Sequence, residues 1–196
     1  AIYRPRYILP DYNVYIEKGC EFLELPAPKN LDEALDGLLI LYSHVPSITT
    51  FPVYIGRLDV LLDPFITDEE QDYIKIKRFL NHVDKTVPDS FCHANIGPYD
   101  TKAGRLILKA VIELEAPTPN MTIRYDKSKT SREFAELAAK ACLLVSKPSF
   151  ANDAYYISDL GEQYGIASCY NALPECGGAY TLTRLRLGTI ARACKT

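Results

Sequence analysis

The residues with most chemical potential gather at positions 164–183, a stretch that holds Cys169, Asn171, Glu175 and Cys176. The apolar run 165–167 suits a buried strand end. It delivers Cys169 to the point where Asn171, Pro174 and Gly177-Gly178 break any regular pattern. A strand that opens into a loop positions a side chain rigidly and leaves it accessible, and chemistry in α/β proteins collects at such ends. The bland alternative is a small buried hydrophobe, which is what free cysteines usually are. As a nucleophile, Cys169 needs a histidine to take its proton, and the chain has only His44, His82 and His93. His93 is the suitable one, because it falls on a neighbouring predicted strand.

His93 and Asn95 stand two apart on the predicted strand 91–96, so both face one side of it. If that side is the protein interior, they can hydrogen-bond a substrate; the competing reading is a satisfied structural histidine. Asn171 and Glu175 are further candidates for substrate contact, with Glu175 a proton shuttle if its loop folds back. Cys176 is read as a loop thiol without a role; Asn152-Asp153 has two readings, lining the site or capping the next turn, and the cap is the simpler. Cys92-His93 has no second ligand pair at metal-binding spacing, so no zinc or iron–sulfur site is expected in this chain.

The elements that must position these residues alternate between strand and helix. Residues 1–30 are Tyr- and Pro-rich without clear period and read as an extended N-terminal arm. Asn30 with Glu33 opens a helix through Leu31, Leu35, Leu38 and Tyr42, which Pro46 is expected to end. Residues 51–58 read as a strand, and Thr67 with Glu70 starts a helix through Tyr73, Ile76, Leu80 and Val83. After strand 91–96, Asp100 is the expected cap of a helix through Leu106 and Val111, and strand 121–125 follows. Thr130 with Glu133 opens the next helix, and a polar, Tyr-rich loop leads to the strand ending in Cys169. A final amphipathic helix at 180–194 carries Arg184, Arg186, Arg192 and Lys195 on a basic face. Such alternation predicts an α/β fold with parallel strands and right-handed crossover helices. The strands are too few to close a barrel, so residues 31–196 are read as a partial α/β barrel domain that continues beyond the chain.

Composition narrows the function classes. The net charge of -3 gives no electrostatic case for nucleic acid or an anionic membrane surface. No apolar run approaches the ~18 residues that span a bilayer. The six cysteines, with no signal sequence ahead of them, are read as reduced cytoplasmic thiols. A first residue other than Met reads as a start inside a longer protein.

Three stretches in order carry a resemblance: 116–124 (Ala-Pro-Thr-Pro-Asn-Met-Thr-Ile-Arg), 149–153 (Ser-Phe-Ala-Asn-Asp) and 165–169 (Gly-Ile-Ala-Ser-Cys). They resemble successive landmarks of the glycyl radical enzymes, the superfamily of pyruvate formate-lyase. There, a Pro-Asn-hydrophobic-Thr strand precedes an Asn-Asp segment and then the cysteine strand. His44-Val-Pro-Ser, Phe51-Pro-Val-Tyr-Ile-Gly and the Gly-Gly-Ala-Tyr-Thr-Leu run are similar to the YjjI-type branch. The resemblance implies a glycyl-radical-enzyme type α/β barrel in which Cys169 forms a thiyl radical that abstracts hydrogen from a small organic substrate. It also implies a glycyl radical near the C-terminus, installed by an activating enzyme that uses S-adenosylmethionine and an iron–sulfur cluster. The complete protein is implied to be a homo-oligomer. None of the ten glycines lies in the family's Arg-hydrophobic-x-Gly-Tyr-like pattern, so this chain alone is expected to be inactive. Two positions depart from related enzymes: Asn171 stands where dehydratases and decarboxylases carry a glutamate, and Ser168 where pyruvate formate-lyase carries a second cysteine.

Two rival classes remain: a cysteine hydrolase or transferase, and a non-catalytic truncated scaffold. The scaffold reading requires an exposed apolar face, seen as oligomerisation or dye binding. The hydrolase reading requires Cys169 to alkylate rapidly near neutral pH and His93→Ala to abolish that reactivity. Slow alkylation that is indifferent to His93→Ala would exclude it.

Overall fold

The computed structural model describes residues 9–10, 12–49, 53–87, 92–116, 118–162, 164–167, 171–174 and 184–185. In chain order the elements are β1 (Leu9–Pro10), α1 (Tyr12–Lys18), α2 (Leu31–Thr49), β2 (Val53–Arg57), α3 (Leu58–Leu62) and α4 (Glu69–Thr86). There follow β3 (Cys92–Ile96), α5 (Lys102–Leu114), β4 (Asn120–Tyr125), α6 (Arg132–Val145), β5 (Ser149–Asn152) and α7 (Asp153–Leu160). The chain then forms β6 (Tyr164–Ala167), β7 (Asn171–Pro174) and β8 (Arg184–Leu185).

Strands β2-β3-β4-β5 form a four-stranded sheet in sequence order, with every neighbouring pair parallel. The expected α/β class and parallel strands are therefore present, but the sheet is open. Crossovers that step always in one direction place their helices on one face of the sheet. Val53, Ile55, Cys92, Ala94, Ile96, Met121 and Ile123 accordingly join residues of α2, α4, α5 and α6 in one apolar core. The other face needs a different cover.

Local chemistry explains the helix starts, and adjusts several of them. Asn30 accepts from the Glu33 amide (2.9 Å) while Glu33 accepts from the Asn30 side-chain amide (3.0 Å) and the Lys29 amide (2.9 Å), a variant of the capping box expected at that end. The other caps move one residue along. Asp68, not Thr67, caps α4; Thr101, not Asp100, caps α5; and Ser131, not Thr130, caps α6. In each case two capping residues are adjacent, and the first makes other bonds. Asp100 pairs with Arg105 and Ser131, Thr130 receives the Asp126 amide, and the Thr67 amide donates to the buried Asp72. Helix α2 runs through Pro46 to Thr49. A proline's φ is itself helical, and α2 continues despite the one hydrogen bond that proline cannot donate.

Three further stretches depart from expectation. The N-terminal segment is not extended throughout, because α1 forms and Tyr12, Tyr15 and Cys20 join the main core. The expected polar loop after α6 contains β5 and α7 instead. Within the expected last helix, residues 184–185 form β8, parallel to β1, and the remainder lies outside the described residues.

Behind the sheet, Asp59 of α3 ties the end of β3 to the start of α5. Its Oδ2 accepts from the Gly97 amide (2.9 Å) and the Thr101 hydroxyl (3.3 Å), while Asp63 accepts from the Ala103 amide (3.0 Å). Burial raises the Asp59 carboxyl from its ordinary 3.8 to about 6, against the lowering effect of these bonds and of Arg57. The folded state therefore holds a proton that the unfolded chain has released between these values. Stability contributed by Asp59 falls as pH rises from about 4 to about 6, by roughly 3 kcal/mol in all. Asp59→Asn is expected to remove that component. Denaturant titrations of both proteins at pH 4, 6 and 8 check this, and parallel pH profiles would refute it.

Candidate active site

The second face of the sheet is built by alternation. On β2, β3 and β4 the buried residues that do not enter the helix-covered core are Tyr54, then His93 and Asn95, then Thr122 and Arg124. Register places Tyr54 beside His93 and Asn95 beside Thr122. Buried strands of parallel sheets usually read as continuous apolar runs. A row of polar side chains here requires partners, because each unpaired buried polar group costs about 1–3 kcal/mol.

Strand β6 supplies partners for Asn95 and Arg124. It does not extend the sheet as another parallel strand; it pairs antiparallel with β7, Ala167 opposite Asn171 and Tyr164 opposite Pro174. Asn95 Nδ2 donates to the Ile166 carbonyl (2.8 Å), and Asn95 Oδ1 accepts from the Ile166 amide (2.8 Å) and the Tyr54 hydroxyl (2.8 Å). Arg124 donates through its terminal nitrogens to the carbonyls of Tyr164 (3.1 Å) and Glu162 (3.2 Å). Alternate residues of a strand present their backbone groups to opposite edges. One edge of β6 therefore serves β7, and the other, at Tyr164 and Ile166, is bonded by side chains of the sheet. A Cβ on Gly165 would overlap the Tyr54 ring, so glycine permits this close approach.

Arg124 is also the centre of a buried ionic group. Its Nε donates to Asp153 Oδ1 (2.8 Å), which the Tyr164 hydroxyl also reaches (2.6 Å), and Lys129 lies 3.3 Å from Oδ2. The guanidinium carbon sits 3.9 Å from the Tyr164 ring centroid. Burial disfavours the Asp153 carboxylate, but hydrogen bonds from Tyr164, Arg124 and Lys129 together with the Arg124 charge outweigh it and hold the pKa below the ordinary value. Tyr164 moves the other way, raised by burial and by Asp153.

The expected site residues are distributed as follows. His93 and Asn95 share the polar face, and the His93 carbonyl accepts from the Tyr42 hydroxyl (3.3 Å). The backbone of Asn171 pairs with Ala167 in the hairpin. Cys169, Glu175 and Cys176 lie outside the described residues; Cys169 is the middle of the three residues that separate the paired Ala167 and Asn171. Cys92 faces the helices, where burial pushes its thiol well up, which keeps it protonated. Asn152 caps α7 by accepting from the Tyr155 amide (3.2 Å), the structural role expected for it. Sequence reading passed over Arg124, Tyr54 and Tyr164. The available signal was an arginine inside the strand Asn-Met-Thr-Ile-Arg, since a buried arginine demands a carboxylate partner.

The whole chain, residues 1–196, matches the family described as glycyl radical enzyme YjjI-like. An uncharacterized protein of Haemophilus influenzae is 93% identical over 196 residues, covering 100% of this chain. Escherichia coli (strain K12) protein YjjI, also described as uncharacterized, is 48% identical over 194 residues, covering 97% of this chain. The chain spans 38% of the length of each of these relatives.

Removing Arg124 would leave the buried Asp153 charge with only Lys129 and the Tyr164 hydroxyl, and would release two backbone carbonyls. Arg124→Met is expected to cost about 3–5 kcal/mol in chemical denaturation, and the double variant with Asp153→Asn less, because no buried charge is then orphaned. A double variant as unstable as the sum of both single changes would refute this account.

Proposed function

Because this chain belongs to the YjjI-like family of glycyl radical enzymes, we propose that it is the part of a larger enzyme that carries the hydrogen-abstracting cysteine, Cys169. The observation that carries the reading is the placement of β6, bonded to the polar face of the sheet by Asn95 and Arg124, two residues before Cys169. A glycyl radical elsewhere in the full polypeptide supplies the hydrogen-atom acceptor for the thiol; it is installed by an S-adenosylmethionine-dependent iron–sulfur activating enzyme. Cys169 gives up the hydrogen atom of its Sγ–H bond, and the resulting thiyl takes one from a carbon of a small organic substrate. The S–H bond is thereby restored and the unpaired electron rests on the substrate. His93, Asn171 and Glu175 are the proposed substrate contacts. Asn171 cannot serve as a carboxylate base, which argues against the dehydratase and decarboxylase pattern.

A buried sheet face of this kind offers the dry surroundings that radical chemistry requires. Within the full protein we place residues 31–196 in an incomplete α/β barrel whose remaining strands come from the rest of the polypeptide. The open edge of β5 and the exposed Phe150, Leu143 and Leu144 support this, being surface that further chain would cover. The complete enzyme is read as a cytoplasmic homo-oligomer.

The test uses the full-length protein, activated anaerobically by its cognate activating enzyme. A protein-based glycyl signal in electron paramagnetic resonance is expected, and Cys169→Ser should retain the signal and lose turnover. No signal in the full-length protein, or turnover that survives Cys169→Ser, would refute the reading.

A further inference from the structure

We infer that Asn95 is a positioning residue: its side-chain amide acts as a one-residue substitute for a neighbouring strand and fixes β6, the strand whose chain leads on to Cys169. This rests on the reading of Cys169 as the reacting residue. Three observations support it. First, the amide exchanges both a donated and an accepted hydrogen bond with one backbone residue, Ile166, each at 2.8 Å. That is the pattern a partner strand would supply, and it fixes translation and tilt together. Second, the amide cannot turn over. A flip would set the NH2 group against the Ile166 N–H and Oδ1 against the Ile166 carbonyl, and the Tyr54 hydroxyl, 2.8 Å from Oδ1, donates in the present orientation. Third, the base of the device is stiff, because Asn95 lies on β3, paired on both sides by β2 and β4.

Pairing with β7 orients β6 only within the hairpin, which could still move as a body. The bonds from Asn95 and Arg124 connect it to the sheet, and Asn95 holds the nearer point, Ile166, three residues before Cys169. Oδ1 accepts two of these bonds and Nδ2 donates the third, so in this role Asn95 acts through the strand.

The experiment uses the full-length protein before activation, so no radical step enters it. Iodoacetamide labelling of Cys169 is timed by peptide mass spectrometry, with the buried Cys92 as the reporter of global unfolding. Amide hydrogen exchange is followed at Ile166. Asn95→Ala and the isosteric Asn95→Asp, which keeps the volume but loses the donor, should each raise Ile166 exchange and Cys169 labelling on the order of tenfold. Cys92 should stay unlabelled. Tyr54→Phe, which frees the amide without removing it, should give a smaller increase in both. Unchanged exchange at Ile166, or unchanged labelling of Cys169 with Cys92 silent, overturns the inference. If Asn95→Ala labels Cys92 as well, Asn95→Asp and Tyr54→Phe decide by the same criteria. A failed glycyl signal in the activated enzyme would sink the radical reading and leave these labelling results standing.

Discussion

Polar groups buried on a sheet face must find partners, and that requirement organises the second half of this chain. Stepping β2, β3, β4 and β5 in one direction commits every crossover helix to one side and leaves the opposite face to be covered otherwise. Tyr54, Asn95 and Arg124 on that face do not pack against an apolar layer. They meet the backbone edge of β6, whose own carbonyls and amides need bonds once the strand leaves water. Sheet and hairpin each satisfy what the other would leave unpaired.

The energetics separate local from long-range parts. Each helix cap contributes on the order of 1 kcal/mol and can move by one residue with little loss, since Asp, Ser and Thr neighbours substitute for one another. The group of Arg124, Asp153, Tyr164 and Lys129 is different in kind. Its members come from separate elements, two carry buried charge, and the bonds compensate a desolvation cost that no single member could meet. Such networks tolerate no partial version, which suits a strand that has to arrive in one place.

The family match separates the functional readings that residue types alone left level. A cysteine flanked by a strand end, with one histidine on a neighbouring strand, is compatible with nucleophilic and with radical chemistry alike. Membership of a glycyl radical enzyme family favours the second. It also gives sense to a strand held at several points, because hydrogen-atom transfer works over short distances and depends on how the donor is placed. The scaffold reading finds some exposed apolar surface at Leu143, Leu144 and Phe150, which a chain spanning 38% of its relatives' length also explains.

Much of the architecture was legible in the residues. Helical spacing located α2, α4, α5 and α6, and alternation located β2, β3 and β4 together with the shared side of His93 and Asn95. Short elements were not: β5 has 4 residues and α7 has 8, too few for a period to stand out from a polar, Tyr-rich background. The sequence by itself determined which residues alternate into the sheet and which strand runs towards Cys169, because both depend on neighbours along the chain. Only the tertiary structure decided that β6 turns away from the sheet's parallel order and lies on Asn95 and Arg124. Those bonds join residues up to 71 positions apart, a pairing that no local propensity encodes.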